Sequence, residues 1–173
     1  DQGYFIVTVQ APDGASMART LAIMNEVDAM ARRLPGVEDT IRFDGLNPIT
    51  QVNQTNAGAL YVLLKPWAER EATELRAVSL AATFQAQVRA SIREALVIVL
   101  QPPPIQGLGT TGGFEFMLED REGKGLEALA LVTDQFLAEA RKRPELVGLF
   151  TPFTTNVPRI AFELDRTKAR TLD

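Results

Sequence analysis

Residues 4–10 (YFIVTVQ) are rich in β-branched and aromatic side chains and predict a strand. Residues 11–15 (APDGA) predict a turn, and Ser16 is placed to cap a helix. Met17, Leu21, Met24, Val27, Ala31 and Leu34 recur at three- and four-residue steps, so that helix carries one apolar face, and Pro35 with Gly36 ends it. Residues 37–43 (VEDTIRF) predict a second strand with Val37, Ile41 and Phe43 on one face. Residues 57–65 (AGALYVLLK) predict a third, with Leu60, Val62 and Leu64 on one side and Tyr61 and Leu63 on the other. A helix is predicted over 72–95, with Leu75, Val78, Ala81, Val88 and Ile92 inward and Phe84 beside them. Residues 96–100 (LVIVL) predict a fourth strand, whose unbroken apolar run suggests a central place in a sheet.

The order β-α-β-β-α-β predicts an α+β fold of the ferredoxin-like, split β-α-β kind: a four-stranded antiparallel sheet with two helices on one face. A hinge-like stretch follows at 101–116 (QPPPIQGLGTTGGFEF). Its prolines stop the fourth strand, since proline has no N–H to give a sheet. Its glycines allow backbone that other residues avoid. Phe114 and Phe116, two residues apart, share one face if extended. They make a candidate wall for an apolar ligand, or else simply core. The pattern then restarts: a strand over 113–119, a helix over 125–143 with Leu126, Leu129, Val132, Phe136, Leu137 and Ala140 inward, and strands over 146–150 and 159–164. Asp165 is placed to cap a last helix. The expected organisation is tandem ferredoxin-like units, 1–105 complete and 106–173 lacking its last strand. The chain is expected to be a piece of a longer protein, with the missing strand supplied from elsewhere.

Residues 44–56 (DGLNPITQVNQTN) read as a polar loop of unusual length, and long loops are usually functional or mobile. The other reading is a β-hairpin connection in which Leu46 and Ile49 are incidental.

Composition narrows the function. The 173 residues carry a net charge of −4, with no cluster of Lys and Arg, so nucleic-acid binding is not expected. There is no cysteine and no histidine, which removes thiol nucleophiles, Ser-His triads, disulfides and zinc sites built on those residues. Glu119 and Asp120 are neighbours at a turn, where carboxylates are ordinarily solvated. No catalytic residue, metal ligand or cofactor is expected. No apolar run approaches the roughly 18–20 residues of a membrane helix.

Four stretches, 1–16 (DQGYFIVTVQAPDGAS), 56–70 (NAGALYVLLKPWAER), 108–129 (LGTTGGFEFMLEDREGKGLEAL) and 162–173 (FELDRTKARTLD), resemble resistance–nodulation–division (RND) efflux pumps of the AcrB-like hydrophobe/amphiphile branch. The resemblance runs along the whole chain. It implies a proton-driven homotrimer in the Gram-negative inner membrane, working with a periplasmic adaptor and an outer-membrane channel. This segment would be periplasmic: the porter subdomain PC1 and the first part of PC2. The implied substrates are small amphiphilic or hydrophobic molecules.

The resemblance also implies site residues. Phe114 and Phe116 match the paired aromatics of an entry-side drug pocket. Thr8 and Gln10 border that cleft, and Arg166 falls at a polar pocket position. Ile41 and Tyr61 fall at deep-pocket positions. Residues 44–56, with Gly45, Leu46, Pro48 and Ile49, match a switch loop between the pockets. Fewer glycines and no phenylalanine in that loop depart from the family pattern. A heavy-metal or other-substrate branch is one alternative, but Thr8 is not a soft ligand and Met117 alternates away from the rings. A soluble ligand-sensing tandem of ferredoxin-like units is the other.

Overall fold

The computed structural model describes residues 1–102, 116–146, 148–153, 155 and 166. Its sheet contains β1 (Tyr4–Gln10), β2 (Val37–Asn47), β3 (Val52–Leu64) and β4 (Leu96–Leu100), in the order β2-β3-β1-β4. Every pairing is antiparallel. Helices α1 (Met17–Ala31) and α2 (Ala77–Ser91) cover one face. This is the α+β, ferredoxin-like arrangement that the element order predicts.

The core lies between that face and the helices. Phe5, Val7 and Val9 of β1 and Leu60, Val62 and Leu64 of β3 meet Ile23, Met24 and Val27 of α1 and Leu80, Phe84 and Val88 of α2. Each such side chain contributes about 1.5–3 kcal/mol by leaving water. The Phe5 and Phe84 rings lie 6.0 Å apart and tie sheet to helix. Ser16 caps α1 as its position predicts, its Oγ accepting from Arg19 N. Met17 and Leu21 sit off the inner stripe; Thr20 and Ile23 take their places. Thr20 can be buried because its hydroxyl donates to the Thr55 carbonyl at 2.7 Å.

Several predicted features differ. Of the two readings of residues 44–56 the β-hairpin connection holds and the long loop does not: β2 extends to Asn47, β3 starts at Val52, and only 48–51 turn the chain. Gly45 makes the irregular pairing there possible. Its φ is +80°, and a Cβ would come within 2.9 Å of Met17 Cε. At the other end of β2, a register shift between Val37 and Asp39 puts Val37 on the helix side, opposite the face of Ile41 and Phe43.

α2 begins at Ala77, after two short 3₁₀ turns at Trp67–Glu69 and Thr73–Leu75. The buried Arg70 guanidinium holds this strap, donating to the Lys65 and Leu75 carbonyls and to the Asp1 carboxylate, with Nη1 at 3.0 Å from Asp1 Oδ2. The same carboxylate accepts from Ala77 N and so caps α2 across 76 residues of sequence. With the entry set this way, Ala77 and Leu80 turn inward and Val78 is left exposed.

Among the described residues β4 is an edge strand, not a central one. Its apolar run is tolerated because Gln85 of α2 pairs with the edge. The carboxamide donates to the Val97 carbonyl at 3.0 Å and accepts from Val99 N at 2.8 Å, as a neighbouring strand would.

Beyond the sheet, α3 spans Leu126–Ala140 and buries only Leu137 and Ala140. The predicted inward positions Leu126, Val132 and Phe136 are exposed, because no sheet lies beneath them among the described residues. Residues 116–119, 146 and 148–150 are not paired as strand. The strand predicted over 159–164 and the cap at Asp165 lie outside the described residues. Among the described residues, no helix is long and apolar enough to cross a membrane.

Candidate functional site

The face of the sheet opposite α1 and α2 gathers four of the sequence-predicted positions. Along β1, Tyr4, Ile6, Thr8 and Gln10 project to this face, since Phe5, Val7 and Val9 project to the core. Register places Tyr61 of β3 between Ile6 of β1 and Ile41 of β2. Thr8 and Phe43 flank Ala59 one row on, and Gln10 lies opposite Ala57. Tyr61 is the centre of an aromatic group. It stacks on Tyr4 at 6.3 Å and meets Phe43 edge-on at 5.6 Å. Ile41 and Phe43 are 48% and 43% exposed, so this row offers apolar contact to a ligand, whereas Thr8, at 4%, forms part of the wall.

At the Gln10 end, the face runs into the hairpin tip. Asn47 is buried, and its side chain holds two things at once. Its Oδ1 accepts from Ile49 N and Thr50 N, fixing the turn. Its Nδ2 donates to Gln10 Oε1 at 3.2 Å, fixing the tip to β1. Gly45, Leu46, Pro48 and Ile49 thus belong to a hairpin end tied to β1 through Asn47 rather than to a free loop.

Between this tip, the β1–α1 turn and residues 151–153 lies a cleft of about 320 Å³. Carboxamides dominate one side: Gln10, Asn47, Gln54 and Asn56. Asn56 is anchored by its Nδ2, which donates to the Ala11 carbonyl at 3.2 Å. Pro152 and Phe153 supply an apolar wall. Asp13 is the only ionisable side chain lining the cleft among the described residues. Among those residues, too, no three His, Cys, Asp or Glu side chains converge to hold a metal ion. The arrangement offers rings, amides and small side chains, which suit binding.

Phe116 and Arg166 lie outside this constellation. Phe116 stacks on Phe136 of α3 at 5.0 Å and is 60% exposed. Arg166 is helical and exposed. Phe114 lies outside the described residues. Tyr4, Phe43, Asn47, Gln54, Asn56 and Phe153 join the site without having been singled out as site residues. The alternation of β1 contains the signal for Tyr4, and that of β2 the signal for Phe43. Asn47 and Phe153 take their places through tertiary contacts that no local pattern encodes.

Residues 1–172 match the AcrB/AcrD/AcrF family. The chain belongs to that family. It is 32% identical over 175 residues to the multidrug export protein AcrF of Escherichia coli, covering 99% of this chain and 17% of that protein. It is 31% identical over 174 residues to the toluene efflux pump membrane transporter TtgE of Pseudomonas putida, covering 99% and 16%. It is 28% identical over 177 residues to the multidrug resistance protein MdtF, also of Escherichia coli, covering 99% and 17%. This AcrB/AcrD/AcrF family member thus spans about a sixth of the length of these relatives. They are transporters, and the RND resemblance of the four sequence stretches agrees with them.

Proposed function

We propose that this chain is the periplasmic substrate-binding and gating segment of a proton-driven RND efflux transporter that exports drugs or other amphiphiles. The observation that carries the reading is the sheet face opposite α1 and α2, on which Ile41 and Phe43 are exposed. In a family of transporters, this chain keeps an aromatic row at Tyr61, Tyr4 and Phe43 accessible on a sheet whose other side is fully packed. Loose apolar contact with a few polar groups at one end is the chemistry that varied amphiphiles require.

In this reading, residues 1–105 form one porter subdomain and residues 106–173 begin a second. The hairpin tip at Gly45, Leu46, Pro48 and Ile49 acts as the gate. Its bond from Asn47 to Gln10 gives it a defined resting position beside the ligand face. A ligand competing for Gln10 would loosen that bond and free the tip to move, which couples occupancy to gating. Phe114 and Phe116 would border the entry side, with Arg166 at its polar margin. The parent protein would sit as a homotrimer in the Gram-negative inner membrane, joined to an adaptor and an outer-membrane channel.

The test uses the intact transporter. Phe43→Ala with Tyr61→Ala is expected to lower resistance to apolar amphiphiles at least fourfold at matched expression. Phe114→Ala with Phe116→Ala is expected to act mainly on large substrates. Unchanged resistance in the first pair sinks the assignment of the ligand face.

A further inference from the structure

We propose that Met17 is an oxidation-sensitive latch: conversion of its thioether to the sulfoxide by a peroxide releases the end of the β2–β3 hairpin from α1. The inference concerns how the hairpin is seated and does not depend on the ligand role proposed above.

Two methionines of α1 lie over glycines of the hairpin. A Cβ on Gly58 would come within 2.6 Å of the Met24 sulfur, and a Cβ on Gly45 within 2.9 Å of Met17 Cε. In each case the missing Cβ makes room for a thioether chain, which is unbranched and fills irregular gaps well. The two glycines are close to each other, since Gly58 pairs with Asp44, the neighbour of Gly45. Gly45 has a φ of +80° and sits at the register shift between Asp44 and Leu46. The Met17 methyl therefore rests on the point where the hairpin is irregular.

Accessibility separates the two contacts. Met24 is fully buried, whereas Met17 is 36% exposed and open to a peroxide in solution. Met117 is open too, at 76%, but lies in a stretch without helix or strand. The chain thus carries a protected methionine, a coupled one and an uncoupled one.

The chemistry needs only the thioether and hydrogen peroxide. A sulfur lone pair attacks one peroxide oxygen; the S–O bond forms and the O–O bond breaks. The attacked oxygen gives up its proton to the departing hydroxide, which leaves as water. The sulfur is oxidised by two electrons and the peroxide is reduced. The new S–O group is a strong acceptor attached beside the methyl that touches Gly45. It keeps its water only if the side chain turns outward, and the bulge then loses its cover.

The contacts that remain lie on either side of the bulge. The Thr20 hydroxyl donates to the Thr55 carbonyl at 2.7 Å, and Asn47 Nδ2 donates to Gln10 Oε1 at 3.2 Å. Loss of the Met17 contact therefore loosens residues 44–54 locally and leaves the sheet intact.

The experiment treats the 173-residue chain with hydrogen peroxide. Sulfoxide formation is followed by peptide mass spectrometry and backbone opening by amide hydrogen exchange. Met17 is expected to oxidise at least about tenfold faster than Met24. Exchange across residues 44–54 is expected to rise at least about fivefold, with β1 unchanged. Met17→Leu keeps an apolar side chain without sulfur and is expected to abolish the response, while Met117→Leu is expected to preserve it. Methionine sulfoxide reductases acting on the oxidised natural chain are expected to restore slow exchange, a readout that needs no variant. Met17 oxidising as slowly as Met24, unchanged exchange after full oxidation of Met17, or a rise that persists in Met17→Leu would overturn the latch. None of these outcomes bears on ligand binding, which the resistance assay above tests separately.

Discussion

Helices α2 and α3 are each 15 residues long and each carries an apolar stripe, yet they end differently. α2 buries Ala77, Leu80, Ala81, Phe84 and Val88 against the sheet. α3 buries Leu137 and Ala140 and leaves Leu126, Leu131, Val132 and Phe136 exposed. Periodicity states which face of a helix seeks burial, and it is silent on whether a partner is present. The sheet supplies the partner for α2. For α3 the main aromatic contact among the described residues is one ring, Phe116 on Phe136.

The largest expected contrast uses this difference directly. Phe84→Ala empties a fully buried position and is expected to cost about 3–5 kcal/mol in urea unfolding. Leu131→Ala on α3 is expected to change stability by no more than about 0.5 kcal/mol. Comparable losses at the two positions would show that α3 is packed after all.

A smaller effect concerns how α2 is seated. Arg70→Met removes the donor that holds the Lys65 and Leu75 carbonyls and the Asp1 carboxylate. The expected cost is about 2–3 kcal/mol, less than for a wholly buried pair because the Asp1 side chain is 26% exposed. Asp1→Asn keeps a hydrogen-bond acceptor and should lose less. Equal losses in the two variants would mean that the Asp1 charge alone carries the effect, and negligible losses in both would mean the strap is held by packing.

The smallest effect lies in the loop before α3. Asp120 is held below the usual carboxylate range, first by the Gly125 backbone N–H and then by that of Lys124. Because the folded value is depressed, the loop's contribution is present above the ordinary aspartate range and fades as pH falls through the folded value. A carboxyl-carbon NMR titration is expected to show Asp120 protonating at lower pH than a free aspartate. An ordinary midpoint would mean that these backbone contacts do not persist in solution.

Much of this was legible locally. Tyr4–Gln10 and Leu96–Leu100 are strands at the predicted bounds, and Ser16 is the cap its position implies. The β-α-β-β-α-β order carried the sheet topology with it, and alternation alone placed Tyr61 opposite the face of Leu60 and Val62. The errors share one cause: interactions between residues far apart in sequence. Polar residues hid the extension of the β2–β3 hairpin, which depends on a glycine bulge under Met17 and on Asn47 reaching Gln10. The start of α2 depends on Asp1, and the edge position of β4 on Gln85. The candidate site divides in the same way. Its apolar row follows strand periodicity, while its cleft is assembled from a turn, a hairpin tip and a distant segment.

The most direct measurement places a single tryptophan in each region. With Trp67→Phe as the background, Phe43→Trp reports on the sheet face opposite α1 and α2 and Phe136→Trp on α3. Each variant is titrated with octyl β-D-glucoside below its micelle-forming concentration, and the emission is recorded. The account predicts a blue shift at position 43, with a half-response at least fivefold lower in concentration than any response at position 136. A silent position 43 beside a responsive position 136 would contradict it and move the ligand face to the exposed stripe of α3.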